Sequence, residues 1–150
     1  MSDETKKDNT NIPKDKIIQL DENLYVYSIP YEPVPYCNNP SRKGWTVMGN
    51  AKTAMELSLL QQHQNRKKYT SAISMVIDFY MPAIQKSQLA SSHFEDSWHR
   101  HTPDILQLTR FVTQAACGIL YDDDCIISSL TTLKHFSKNP RTVFTIRELK

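Results

Sequence analysis

Residues 71–82, SAISMVIDFYMP, alternate so that Ile73, Met75, Ile77 and Phe79 share one face, and Pro82 ends the run. A two-residue period is the signature of a strand, because successive side chains point to opposite sides of the pleat. β-branched and aromatic residues reinforce it. An apolar face of this length must be buried against another layer, so the chain has to build a sheet with something laid over it. The strand reads as internal to that sheet.

The elements that could pair with it or cover it flank it on both sides. From Asn23, NLYVYSIP alternates in the same way and breaks at Pro30, Pro33 and Pro35, which predicts a first strand running into a stiff loop. The loop continues through YCNNPSRKGW, where Arg42 and Lys43 beside Trp45 suit contact with phosphates and bases, unless Trp45 turns into the core. NAKTAMELSLLQQHQ, from Asn50 to Gln64, predicts a helix, and the basic run Arg66, Lys67 and Lys68 leaving it serves its dipole and solvent, unless it reaches a nucleic-acid backbone. Residues 84–100 have no period and read as a long irregular loop. His93, His99 and His101 lie at its end without cysteine or helical spacing, so they read as polar loop residues rather than a zinc site.

A second helix is predicted with Thr102 as N-cap and Pro103 in its first turn. Ile105, Leu108, Val112, Ala115, Ala116 and Ile119 form its buried stripe, and Gly118 stands where a C-terminal cap belongs. CIISSLTTLKHF and RTVFTIREL then predict two strands joined as a hairpin by SKNP. The order is β-α-β-α-β-β, an α/β domain of the α+β type with a single sheet of about four strands, two principal helices, and a helix layer on one sheet face.

With 150 residues and 39% apolar content the chain has enough for one core. Residues 1–16 carry no apolar period and are expected to be a flexible N-terminal tail, leaving 17–150 as the folded domain. A net charge of +2 leaves any anion-binding surface to local clusters of Lys and Arg. Cys37, Cys117 and Cys125 match neither a disulfide framework nor paired zinc ligands. That usage fits a reducing cytoplasm, and no segment is long and apolar enough to span a membrane.

Carboxylates gather around the second helix. Asp104 opens it, and Asp122, Asp123 and Asp124 follow its end, where the next strand begins. Adjacent aspartates repel unless a cation, a basic partner or water separates them. If folding brings Asp104 and this cluster together, they could hold a hard divalent cation of the kind used in phosphodiester chemistry; otherwise the run is a solvated turn. At 100° per residue, Leu106 and Arg110 face away from the apolar stripe. A leucine there gains nothing from the core and either replaces a polar residue or meets another chain.

In this region the chain resembles the RusA family of Holliday junction resolvases, small DNA endonucleases of recombination and repair. In that family K-P-D-I-D-N-L-x-K opens a helix that runs to a Gly-Ile pair, then an aromatic residue and an Asp-Asp pair. This chain has T-P-D-I-L-Q-L-T-R, then Gly118-Ile119, Tyr121 and Asp123-Asp124, with no gap from Pro103 to Asp124. The order of elements agrees from about Asn23 to the C-terminus.

The resemblance implies a homodimer that binds four-way DNA junctions and hydrolyses phosphodiesters with Mg2+. It implies that Asp104 and Asp124, with Asp123 beside them, are the metal-binding acids. Arg110 stands in place of the family's catalytic lysine and suits phosphate binding better than proton transfer. Arg42, Lys43, Arg100 and Arg110 are the expected DNA contacts. Leu106 stands where the family has its second helix-start aspartate, and Gln107 where it has asparagine. A register shifted to put Asp104 on that second acid would leave Thr102 and Leu108 at the first acid and the lysine, so the ungapped reading is preferred. One acid is missing either way. The alternative is therefore a catalytically decayed member, a pseudoenzyme that binds branched DNA or a protein partner without cutting.

Overall fold

The computed structural model describes residues 23–150; the expected N-terminal tail lies outside the described residues. The elements are β1 (Leu24–Ile29), α1 (Arg42–Gln62), β2 (Ile73–Met81), α2 (Ile105–Ala116), β3 (Ile127–Phe136) and β4 (Arg141–Glu148), in the predicted order. Single 3₁₀ turns at Lys86–Ala90 and Asp124–Ile126 punctuate the connections.

One mixed sheet runs β1-β4-β2-β3. β2 is internal, as its pattern requires: it pairs with β3 in parallel and with β4 antiparallel. Ile73, Met75, Ile77 and Phe79 are at most 1% exposed. Their cross-strand neighbours on β4, Phe144 and Ile146, are fully buried with them. Met55 and Leu59 of α1 and Leu108, Val112, Ala115 and Ala116 of α2 complete the core. The helices therefore cover one face. The other face stays open, with Val26, Val76 and Leu133 exposed on it.

Three local expectations are corrected. β3 and β4 are not a hairpin, because β2 lies between them. The SKNP segment instead crosses the end of β2, and the Ser137 N–H donates to the Met81 carbonyl (2.8 Å) on the way. Burying β2 on both edges outweighs the short turn's preference for adjacent strands. Second, α1 begins at Arg42 rather than Asn50. The Ser41 hydroxyl accepts from the Gly44 N–H (3.2 Å), an N-cap that makes the basic loop the first helical turn. A Cβ on Gly44 would meet the Pro40 Cβ at 3.0 Å, so the glycine lets the chain fold back on its cap. Trp45 is 58% exposed and does not enter the core.

Third, the N-cap of α2 is Asp104, not Thr102. The Thr102–Pro103 peptide is cis and precedes the helix. Gly118 does follow the helix end, with φ of 89°, and its N–H donates to the Tyr121 carbonyl (2.7 Å). This left-handed turn suits glycine.

A buried hydrogen-bond chain ties the strands to α1. His63 Nε2 lies 3.0 Å from the Lys67 carbonyl, so that nitrogen carries the proton and Nδ1 accepts from the Tyr27 hydroxyl (2.8 Å). The Tyr69 hydroxyl then donates to Tyr27 (2.7 Å). Burial raises both phenol pKa values and lowers that of His63, which keeps the chain neutral. Tyr27→Phe would strand His63 Nδ1 and the Tyr69 hydroxyl. It is expected to cost roughly 1–3 kcal/mol, measured as a shift in the urea unfolding midpoint.

Candidate functional site

α2 crosses from the end of β2 to the start of β3. Because β2 and β3 are parallel, the helix must run back along them, with its N-terminus near the end of β3 and its C-terminus near the beginning. This topology decides where each predicted acid sits.

At the helix start, an Asp104 carboxylate oxygen accepts from the Gln107 N–H (2.9 Å) and the Asp104 carbonyl accepts from the Leu108 N–H (3.2 Å). The entry to the helix is held by Lys134, near the end of β3. Its Nζ donates to the carbonyls of His101 (2.6 Å) and Pro103 (2.7 Å). Burial lowers the Lys134 pKa, and Asp104 opposes that shift. An open groove of about 560 Å³ lies here, lined by Trp98, Arg100, Asp104, Thr132 and Lys134 among others. His99 forms part of its wall at 6% exposure, its ring edge-on to Phe136 with centroids 4.7 Å apart. Burial, aided by the neighbouring Lys134 and His101, pushes its pKa down to about 4, so the ring is neutral at pH 7.

At the helix end, Asp122 pairs with Lys68 (2.7 Å). Asp123 accepts from the Cys125 N–H (2.9 Å), a bond that lowers its carboxyl pKa. Ligand atoms of Asp123, Asp124 and Cys125 lie within 4.8 Å of one another at the surface, and this is the metal-capable grouping among the described residues. His93, His99 and His101 do not gather into one.

Asp104 does not join that cluster within one chain. The acidic run precedes Ile127, which pairs with Ile73, whereas Lys134, beside Asp104, pairs with Phe79. Seven residue steps along β3 separate Ile127 from Lys134, roughly 23 Å at about 3.3 Å per step. Asp123 and Asp124 offer two oxygen donors and Cys125 a soft thiol. A single chain is therefore a poor fit for magnesium, which demands octahedral oxygen coordination.

The basic residues divide by role. Arg42 and Lys43 are exposed in the first turn of α1, where positive charge opposes the helix dipole, so helix stability does not explain them. Arg100 is exposed on the groove. Arg110 is exposed with its guanidinium 4.8 Å from the centre of the Tyr36 ring. Arg66 lies over Tyr25 (4.4 Å), and Lys68 is taken by Asp122, in keeping with a structural reading of that basic run. Leu106 is 76% exposed, as its helical position implies. Lys134 and Trp98 escaped the sequence reading. A lysine on the inward parity of LTTLKHF, in step with Leu130 and Phe136, was the available signal for the first.

The family model described as Endodeoxyribonuclease RusA matches residues 30–147. No curated protein matches the chain.

His99 generates a pH prediction. Its pKa is about 4 when folded against about 6.5 when unfolded, so the unfolded chain binds the extra proton first. The stability arising from neutral His99 is complete above about pH 6.5 and lost as pH falls towards 4. His63, also lowered by burial, adds a smaller loss in the same direction. Urea midpoints measured between pH 7 and pH 4.5 should fall, and His99→Leu should flatten that fall.

Proposed function

The chain belongs to the RusA family of endodeoxyribonucleases, Holliday junction resolvase-like enzymes that bind branched DNA and are in general metal-dependent, and we propose that it acts on four-way junctions as a two-fold dimer. The observation that carries this reading is the position of the acids at opposite ends of β3, which is an edge strand of the sheet. A second copy, related by a two-fold axis near the middle of β3, would bring Asp104 of one chain opposite Asp123 and Asp124 of the other. Two such sites would face the two symmetry-related strands of a junction.

Across the dimer, Asp104, Asp123 and Asp124 would give three carboxylates for Mg2+, a better fit than one chain provides. Bound magnesium would supply an activated water and neutralise charge on the phosphate. Lys134 orients the segment that carries Asp104. Arg42, Lys43, Arg100 and Arg110 bind the phosphate backbone, and the planar guanidinium of Arg110 suits a bidentate contact with it.

Leu106 favours a second reading, a member that binds junctions without cutting. It is fully presented at the site's helix, yet has no oxygen to offer a cation.

Mixing distinguishes these readings. Asp104→Asn and Asp124→Asn should each be inactive, while their mixture should recover about a quarter of wild-type cleavage, since half the dimers are mixed and each has one intact site. A chain that stays monomeric in sedimentation, or mixtures that stay inactive while wild type cuts, would refute the shared site. Tight junction binding without cleavage in magnesium or manganese, with cutting gained in Leu106→Asp, supports the decayed member. Absence of junction binding at low salt removes both readings, because phosphate contacts are strongest there.

A further inference from the structure

Four side chains form one row across the open face of the sheet. Arg141 pairs with Tyr80 across β4 and β2, and Tyr80 with His135 across β2 and β3. His135 meets Trp98 through an isolated antiparallel bridge beyond the edge of β3. The Arg141 guanidinium lies 3.7 Å from the centre of the Tyr80 ring. The Tyr80 and His135 rings are 4.4 Å apart, and those of His135 and Trp98 are 6.4 Å apart, each pair inclined at 32°. The row ends in an indole that is 70% exposed.

Core packing does not account for Trp98, because an aromatic surface of that size is costly to leave in water. Nor does it sit on a loose loop. Asp96 donates to the Phe136 carbonyl (3.0 Å), Phe136 to the Ser97 carbonyl (2.8 Å) and His99 to the Lys134 carbonyl (3.1 Å), which fixes the backbone on both sides of it. The ring is therefore presented on a rigid frame at the lip of the groove that Arg100 and Asp104 also line.

We propose that Trp98 is a stacking platform for a nucleobase that has left the helical stack, as bases near the branch point of a junction can. This rests on the branched-DNA reading above. Stacking on an aromatic ring needs a free base face, which intact duplex does not offer and an opened one does. Arg100, two residues away and exposed, can hold the adjoining phosphate. Asp78 and Asp96 lie 4.0 Å and 3.7 Å from the ring nitrogens of His135, and their negative charge disfavours phosphate at the His135 part of the row. The base is what the row accepts, with the backbone on the Arg100 side.

The test uses the full chain in EDTA with Trp45→Phe, which leaves Trp98 as the sole tryptophan of the two in the sequence. A four-way junction should quench Trp98 emission and a duplex of equal length should not. Trp98→Ala should weaken junction binding roughly tenfold, Trp98→Phe should stay within about threefold, and duplex binding should be unchanged in both. Junction bound at saturation with unquenched Trp98, or equal affinity in Trp98→Ala, overturns the stacking alone and leaves the junction reading intact. Self-association lost in Trp98→Ala without any effect on DNA would assign the indole to a second copy and overturn it as well. No junction binding by anisotropy overturns both.

Discussion

Burial of β2 on both edges governs the rest of the molecule. A strand whose inward residues are all apolar needs neighbours on each side and a helical layer above, and the chain meets this with β4 antiparallel on one side and β3 parallel on the other. A parallel neighbour requires a crossover, and α2 provides it. Once α2 runs back along β3, its first and last residues lie at opposite ends of the same edge strand. The separation of Asp104 from the aspartates after the helix is thus a consequence of how the core is built.

Much of this was legible in the chain. The alternation of residues 73–79 fixed a strand and its inward face, and the spacing from Leu108 to Ala116 fixed the buried stripe of α2. Gly118 marked the turn, because a positive φ there suits glycine. The element order followed from these and needed no three-dimensional information. What could not be read was which strands pair. SKNP is short enough for a hairpin and also long enough to step over one strand, and only the demand of β2 for a second neighbour chooses between them. The start of α1 was masked by Gly44, which weakens helix propensity, and by two basic residues that oppose the helix dipole, although Ser41 supplied the cap.

The candidate site was legible as residue types and not as geometry. Asp104, Asp123 and Asp124 were identifiable from their spacing and resemblance, but spacing along a helix does not reveal that its ends are far apart in one chain. Asp104 also has a structural duty as N-cap of α2. Its presence would be accounted for by helix capping alone, whereas the exposed Leu106 two residues later has no such duty. Arg42 and Lys43 stand out for the opposite reason, since the helix they open would be more stable without their charge.

Lys134 links regions that are remote in sequence. Its stem rises from the edge strand, and its ammonium group grips two carbonyls just ahead of α2. The same strand carries His135 on its opposite face, in the aromatic row. That strand end therefore sets the helix entry and the aromatic row on neighbouring residues, so that a substitution at either position falls beside both.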